Sequence, residues 1–355
     1  MFVLDSHCDT PSQILRLRDL SMDNDHAHVD FPKLRKGGVD GAFFALYIPK
    51  KYDDDPDSAY DYAYRLLEGV RTAVNDNPDK AAFAVSYEDA LRNQSSGLFS
   101  VFLGLENGSP IGHDLERLCR FCDEGVRYVT LCHSGHNQIC DSCAPSVGKW
   151  GGLSPFGKDV VRKMNELGML VDVSHISDMS FYDVLETSCK PVVATHSCCR
   201  SLADHPRNLT DAMIRSLAEA GGVVQVNFYP LFIDRSFKDI ISSSGIIERG
   251  ETIENEFIAE PWNLERKAAW NRIQDELQTL DRPSFRRIAD HIDHVVEIAG
   301  IDHVGIGSDF DGIEVTPAGL ENISMLPVLF EELRDRGYTE SDIEKVAGAN
   351  FFRLL

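Results

Sequence analysis

The feature that most limits the fold of this chain is the regular alternation of short apolar runs with longer amphipathic segments. The runs are rich in Val, Ile and Phe and have the length of buried strands, whereas the segments between them have helical periodicity. Such alternation is typical of βα units around a parallel sheet. Eight runs are predicted as strands, at 2–7, 39–48, 98–105, 126–132, 169–173, 191–195, 222–228 and 303–307. Amphipathic helices are predicted at 58–74, 155–167, 178–187, 211–220 and 285–299.

Eight βα steps in succession predict an α/β fold, a single (β/α)8 barrel of the TIM type. No low-complexity tract, short repeat or Pro/Ser-rich linker interrupts the pattern, so residues 1–355 are predicted to form one domain. The main irregularity is the stretch 230–281, with a Ser242-Ser243-Ser244-Gly245 turn and an acidic helical run. We interpret it as an insertion on a barrel loop, where lids and substrate walls are usually found.

The negative charge of the chain argues against anionic partners. Lys and Arg number 35 against 57 Asp and Glu, for a formal net charge of -22. Such a surface repels phosphate backbones and anionic lipid, so we expect neither nucleic acid nor a membrane as a partner. Most of the carboxylates are expected to serve solubility alone.

The ends of the sequence and its cysteines indicate a cytoplasmic location. The first residues lack a basic leader and a long apolar stretch, and the last residues are too few for an anchor. The nine cysteines are an odd number, and the adjacent pair Cys198-Cys199 does not suit a disulfide framework. We therefore expect free thiols in a reducing compartment.

Polar residues of one chemical kind stand at the ends of the predicted strands. In a barrel of this type the chemistry is built at the carboxyl ends of the strands. Six of the eight predicted strands end on a potential metal ligand or proton carrier, whereas random placement would scatter these residues through helices and loops. These strand-end groups are His7-Cys8-Asp9, Glu106, His133, His175, His196 and Asp309.

The predicted ligands suffice for two metal ions. Residues at i and i+2 of a strand project to the same side, so His7 and Asp9 can bind one cation while Cys8 points away. Zinc accepts imidazole and carboxylate ligands but needs at least a third ligand and an open position for water. Glu106 has two oxygens and can bridge this ion to a second one. We predict that His175 and His196 hold the second ion, with a hydroxide shared between the two.

A single histidine at a strand end is more often a hydrogen-bonded core residue than a ligand, and only the joint pattern favours a metal centre. The other histidines lie in loops, in helices or at a strand start. We assign no role to His26, His28, His113, His136, His205, His291, His294 and His303.

The sequence resembles the membrane dipeptidase (renal dipeptidase) family of zinc metallopeptidases along nearly its whole length. Seven segments in a fixed order carry the resemblance, and no single one of them would suffice. They are Asp5-Ser6-His7-Cys8-Asp9, Gly104-Leu105-Glu106-Asn107-Gly108, Tyr128-Val129-Thr130-Leu131-Cys132-His133-Ser134, Asp172-Val173-Ser174-His175, Ala194-Thr195-His196-Ser197, His205-Pro206-Arg207-Asn208 and Gly305-Ile306-Gly307-Ser308-Asp309-Phe310-Asp311-Gly312.

The resemblance implies a dipeptidase with two Zn2+ per chain, and a homodimer is compatible with it. It implies the ligand sets already predicted from the residues. It also implies that His133 holds the substrate carbonyl or its oxyanion, that Arg207 grips the terminal carboxylate, and that Asp309 handles protons. A planar guanidinium can clamp a carboxylate through two hydrogen bonds, which would select substrates ending just after the scissile bond.

Two residues after the seventh predicted strand remain ambiguous. Asn227 and Tyr229 are candidate substrate contacts, and an ordinary strand-end cap explains them equally well.

The cysteine spacing suggests a different kind of metal site. Cys119, Cys122, Cys140 and Cys143 have the C-x2-C-x17-C-x2-C spacing of a structural zinc ribbon. However, the first pair lies on one face of a predicted helix with Leu115 and Leu118, where cysteine commonly serves as a small apolar residue. A predicted strand also separates the two pairs, so we favour buried or loop thiols.

Two alternative functions stay open at this point. One is another metal-dependent amidohydrolase acting on a cyclic amide or a lactam, although Asp9 in place of a second histidine favours the dipeptidase pattern. The other is a metal-binding barrel without turnover. The sequence does not determine the preferred side chains, the tolerance of a C-terminal D-residue, β-lactam hydrolysis or the oligomeric state.

Overall fold

The computed structural model describes all residues, 1–355, and contains one parallel sheet of nine strands. The strands are β1 Leu4–Cys8, β2 Gly41–Tyr47, β3 Ala81–Phe83, β4 Phe99–Glu106, β5 Val126–Thr130, β6 Leu170–Asp172, β7 Val193–Ser197, β8 Val223–Val226 and β9 Val304–Ile306.

Eight of these strands form a nearly closed barrel in the order β1-β2-β4-β5-β6-β7-β8-β9, with every pairing parallel. The chain closes the barrel just beyond β9, where Phe310 bridges to Cys8 of β1. Two backbone hydrogen bonds seal this junction, from Asp9 N–H to the Phe310 carbonyl at 2.9 Å and from Asp309 N–H to the His7 carbonyl at 3.0 Å. The two ends of the sheet therefore meet between predicted site residues.

Helices separate the strands and cover the outside of the barrel. They are α1 Thr10–Leu15, α2 Phe31–Gly37, α3 Pro56–Asn75, α4 Tyr87–Ser95, α5 Leu115–Asp123, α6 Pro155–Leu167, α7 Asp178–Thr187, α8 Asp211–Glu219, α9 Pro230–Ile233, α10 Phe237–Ser244, α11 Ile246–Ala259, α12 Leu264–Gln278, α13 Arg286–Ala299, α14 Pro327–Asp335, α15 Glu340–Glu344 and α16 Asn350–Phe352. None of them combines the length and the apolar character needed to span a bilayer.

Side-chain caps fix where several of these helices begin. Ser154, Ser177 and Thr210 precede α6, α7 and α8, and each accepts a hydrogen bond from the backbone N–H three residues further on. Each cap satisfies one of the unpaired donors at the start of a helix. The loops after β5, β6 and β7 therefore end at defined positions.

The predicted barrel is confirmed, with two differences in detail. All eight predicted strands are present, although the one predicted at 191–195 runs from Val193 to Ser197 and so contains His196. The short strand β3 is not among the predictions, since its three residues are too few for a period to be recognised. It pairs only with the start of β4, beside the barrel proper.

Aromatic side chains fill the lower interior of the barrel. Phe43 of β2 and Phe102 of β4 stack with ring centroids 4.9 Å apart, and Tyr128 of β5 lies 5.1 Å from Phe43. All three side chains are fully buried. This layer provides an apolar floor from which the Tyr128 hydroxyl reaches upward.

Four helices, α9 to α12, occupy the stretch 230–281 between β8 and α13. Most of them share a small apolar core distinct from the core of the barrel. It contains Phe237, Ile241, Ile246, Phe257, Trp270, Ile273, Leu277 and Val315. Arg16, directly after α1, pairs with Glu254 of α11 at 2.9 Å. This pair ties the helical stretch to the loop side of β1.

Candidate active site

The structure brings the strand-end residues together at the carboxyl end of the barrel. His7 and His196 lie within β1 and β7, and Glu106 is the last residue of β4. The others lie on loops, each three residues beyond the end of its strand. These are His133 after β5, His175 after β6 and Asp309 after β9.

Glu106 lies at the centre of this group. Its Oε2 is 3.3 Å from Nε2 of His7, whereas its Oε1 is 3.1 Å from Nε2 of His175 and 3.5 Å from Nε2 of His196. His133 is further away, with Nε2 3.8 Å from Oε1. The two oxygens of one buried carboxylate therefore face different imidazoles.

His175 and His196 direct their ring nitrogens at one point. Their Nε2 atoms are 2.8 Å apart, and both face Oε1 of Glu106. Burial lowers the pKa of both imidazoles well below the usual value, and the nearby Arg207 cation lowers it further. Both rings are therefore neutral, which is the form of histidine that binds metal.

His7 and Asp9 flank the other oxygen of Glu106. Nε2 of His7 is 3.5 Å from Oδ2 of Asp9, and this nitrogen and the Oδ1 atom of Asp9 are buried without a hydrogen-bond partner. Buried polar atoms are rarely left unpaired. Two orphaned atoms beside a carboxylate fit the ligand set of a cation.

Three overlapping groups of side chains have ligand atoms close enough to share an ion. They are His7 with Glu106 and His196, Glu106 with His133 and His175, and His7 with Asp9 and Asp309. These groups contain all the predicted ligands but divide them differently from the predicted ligand sets. The assignment of each ligand to an ion stays a prediction.

The carboxylates of the site repel one another and attract protons. Burial and the Glu106 charge raise the pKa of Asp9 to about 6, and burial raises that of Asp309 to about 7. Burial alone would lower the pKa of His7, but Glu106 and Asp9 raise it well above its usual value. Without other cations, the cluster recruits protons to balance its charge, which is the electrostatic condition that a metal ion would satisfy.

Tyr128 holds His7 from below and is a site residue for which the sequence analysis predicted no role. Its hydroxyl lies 2.8 Å from Nδ1 of His7. The Tyr128 ring passes over Gly104, where an added Cβ would lie 2.2 Å from the ring. Alternation within β5 offered a signal, because Tyr128 and Thr130 project to the same side as the site.

Unusual backbone conformations fix two of the loop residues. His175 and Asp309 have φ values of 69° and 64°, in the left-handed region that few residues other than glycine adopt. Such strain is retained mainly where surrounding structure holds it for function. Gly312 follows closely, and a Cβ there would lie 2.1 Å from Oδ2 of Asp9. The loop after β9 therefore packs directly against a predicted ligand.

Arg207 is almost buried beside the histidines, with 8% of its surface exposed. Its Nη2 donates to the His196 carbonyl at 3.0 Å, and its guanidinium stacks 5.3 Å from the Phe232 ring centroid. Its Nε has no partner. Burial and this cation lower the pKa of His133 to about 3, so His133 is neutral.

The side chain of Asn227 forms a hydrogen bond with Asp309. Its side-chain amide donates to Oδ2 of Asp309 at 2.8 Å, and its carbonyl oxygen accepts from the Tyr229 backbone N–H at 2.6 Å. Asn227 therefore caps the end of β8 and contacts Asp309, a predicted site residue. Its role as a substrate contact stays a prediction.

The four cysteines of the ribbon spacing do not converge. All nine cysteines are free, and no group of three ligands with atoms close enough to share an ion contains a cysteine. Cys140 is fully buried in the apolar core, whereas Cys119 is on α5.

Comparison with known proteins identifies the family. The sequence model described as membrane dipeptidase (peptidase family M19) matches residues 1–355. Dipeptidase aclJ of Aspergillus oryzae is 32% identical over 350 residues, covering 97% of this chain and 73% of that protein. Dipeptidase verJ of Clonostachys rogersoniana is 30% identical over 337 residues, covering 93% and 75%.

Solved structures agree with the fold. The probable dipeptidase PvdM from Pseudomonas aeruginosa has a TM-score of 0.81 at 27% identity, covering 100% of this chain and 94% of that one. A metallopeptidase from Rhodobacter sphaeroides, liganded with a phosphinate mimic of L-Ala-D-Ala, has a TM-score of 0.80 at 24% identity, covering 100% and 98%. The predicted resemblance is thereby confirmed. The chain belongs to the membrane dipeptidase family (peptidase family M19) and is a dipeptidase, a metallopeptidase that hydrolyses peptide bonds.

Proposed function

We propose that this dipeptidase works with two zinc ions bridged by Glu106. The observation that carries the proposal is the placement of the Glu106 carboxylate, whose two oxygens face His7 on one side and the His175 and His196 pair on the other. A carboxylate that only balanced charge would not need imidazole nitrogens on both of its oxygens.

The residues present fit such a centre. His7, Asp9 and Glu106 would hold one ion, and Glu106, His175 and His196 the other. Imidazole and carboxylate ligands suit zinc, and the orphaned nitrogen of His7 and oxygen of Asp9 would gain a partner. When bound, the zinc pair would supply a water nucleophile at neutral pH and polarise the scissile carbonyl.

Arg207 would bind the terminal carboxylate of the substrate. Its guanidinium is nearly buried, carries an unpaired Nε and lies beside the histidines. A desolvated guanidinium favours a carboxylate strongly, because the charge-assisted hydrogen bonds replace lost hydration. A clamp at this position would limit cleavage to the bond next to a C-terminal residue.

His133 and Asp309 would act on opposite sides of the scissile bond, His133 on the carbonyl oxygen and Asp309 on the leaving amine. His133 is neutral, so it can donate one hydrogen bond to the carbonyl oxygen as negative charge develops there. Asp309 has a pKa of about 7 and a hydrogen bond from Asn227, a state suited to transferring a proton to the leaving amine. Tyr229, next to this pair, would form part of the pocket wall.

We extend the proposal to substrates with a C-terminal D-residue, because a clamp on the carboxylate does not by itself distinguish the position of the side chain.

We also propose a cytoplasmic site of action, which the nine free thiols support.

The test uses the full-length protein, stripped of metal and reloaded with zinc. Bound zinc is counted per chain, and release of free amino acids is followed for L-L dipeptides, L-D dipeptides, N-acetylated dipeptides and a cyclic amide. We expect two ions and cleavage of the free dipeptides alone. Glu106→Gln should abolish both, whereas Glu219→Gln on the exposed end of α8 should change neither. A Glu106→Gln enzyme that keeps two ions and its turnover would overturn the proposal.

A further inference from the structure

A buried carboxylate beneath the site has no role in the reaction proposed above. Asp172, the last residue of β6, is fully buried and pairs with no cation. Its Oδ1 accepts the backbone N–H groups of Thr195 at 2.9 Å and Ser174 at 3.0 Å. Its Oδ2 accepts the hydroxyls of Thr195 at 2.7 Å and Thr130 at 2.5 Å. Four donors from three strands or their ends thus converge on one side chain.

The hydrogen bonds around Thr195 determine the form of His196. The Thr195 hydroxyl has one proton, which it gives to Asp172, because a carboxylate only accepts. Its oxygen lies 2.8 Å from Nδ1 of His196 and must therefore accept a hydrogen bond from an N–H group at that position. His196 then carries its proton on Nδ1 and presents the lone pair of Nε2 toward Glu106.

A second branch from Asp172 reaches His175. The Ser174 N–H bond to Asp172 holds the turn after β6, and the Ser174 hydroxyl accepts the backbone N–H of His196 at 3.2 Å. The next residue, His175, has its φ of 69° at the end of this turn. Asp172 therefore holds the backbone that carries the His175 ring. It also fixes the orientation of the His196 ring.

We propose that Asp172 is a positioning residue that prepares His175 and His196 together as nitrogen ligands. The Thr195 hydroxyl links the Asp172 carboxylate to Nδ1 of His196 through two hydrogen bonds. The identity of the ion that the two histidines receive rests on the proposed function. Groups that orient metal-bound histidines typically contribute about 10- to 100-fold to metal affinity.

The chain offers a matched pair of variants. Thr195→Val and Thr130→Val each remove one hydroxyl from the same oxygen of Asp172, and both residues are fully buried strand residues. Only Thr195 touches a histidine. A purely structural role for the network predicts similar effects of the two changes, whereas positioning predicts different effects. Thr195→Ser keeps the hydroxyl and serves as the conservative variant.

Zinc affinity is measured on the full-length protein by chelator competition, with thermal unfolding as the control for folding. We expect Thr195→Val to lower the affinity for one of the two zinc ions by about 10- to 100-fold. The affinities of Thr130→Val should stay within about 2-fold of wild type, and Thr195→Ser should retain the wild-type affinity. Equal zinc affinity in the Thr195→Val and Thr130→Val proteins would overturn the proposal.

Nitrogen NMR of the histidine rings gives a reading that does not depend on zinc. In the metal-free wild type, His196 should show a proton fixed on Nδ1, and in Thr195→Val a mixture of the two neutral forms. A mixture already present in wild type would overturn the positioning role. A wild-type protein that shows the fixed proton yet retains no zinc would refute the proposed zinc function and leave the role of Asp172 standing.

Discussion

His291 should make the stability of the barrel depend on pH. This histidine of α13 is fully buried, accepts the Cys199 backbone N–H on Nδ1 at 3.0 Å and donates from Nε2 to the Ile233 carbonyl at 3.1 Å. Both ring nitrogens are used in the neutral form, and protonation would break the bond from Cys199. Burial lowers the pKa of His291 from 6.5 to about 4.

The sign and size of the effect follow from this lowered pKa. Between pH 6.5 and pH 4 the unfolded chain binds a proton at His291 and the folded chain does not, so stability is complete above 6.5 and falls toward 4. The full difference is about 3 kcal/mol, of which about 2 kcal/mol is lost between pH 8 and pH 5.

The assay compares urea unfolding at pH 8 and pH 5 for wild type and His291→Asn, which cannot titrate. The variant should be less stable at pH 8, yet its loss on going to pH 5 should be about 2 kcal/mol smaller than that of wild type. The same substitution at the exposed residue His113 serves as the control for the histidine-to-asparagine change itself. Equal losses in wild type and His291→Asn would refute the reasoning.

Three further outcomes follow from the site. Tyr128→Phe removes the hydroxyl partner of His7 Nδ1 and should weaken zinc binding about 10-fold or more in chelator competition, and unchanged affinity would contradict this. Gly312→Ala places a Cβ 2.1 Å from Oδ2 of Asp9, so the substitution should displace this predicted ligand. We expect kcat to fall about 100-fold while the circular dichroism spectrum stays that of wild type. Arg207→Ala should reduce kcat/KM for dipeptides by about 10- to 100-fold but not for dipeptide amides, and equal losses on both would remove the clamp.

The barrel was predictable because its signal is repeated. Each buried parallel strand appears in the sequence as an apolar run, and eight such runs leave few other folds. The strand β3 was not predicted because its three residues, Ala81–Phe83, are too few to show a periodic pattern. The bounds of β7 shifted by two residues at each end because the residues before Val193 have the same apolar character as the strand.

The candidate ligands were predictable for a related reason. A polar residue that ends an apolar run stands out in the sequence, and parallel strands bring their carboxyl ends to one edge. The supporting groups were not predictable in the same way. These groups are Tyr128, Thr195 and Asp172, which lie inside strands or at their ends. Their contribution to the site depends on which histidine ring they hold, directly or through a neighbour, across the barrel. Alternation within β5 indicates the side to which Tyr128 projects but not the ring that it contacts, because contacts between residues far apart in sequence leave no local pattern.

The seam of the barrel has a consequence for when the enzyme becomes active. All the predicted metal ligands occur at or before His196, yet backbone hydrogen bonds join His7 to Asp309 and Asp9 to Phe310, which come much later in the sequence. A ribosome releases the sequence in order, so a nascent chain carries every ligand long before its seam can close. Hydrolysis of dipeptides should therefore begin only after Phe310 has been synthesised and the seam has closed.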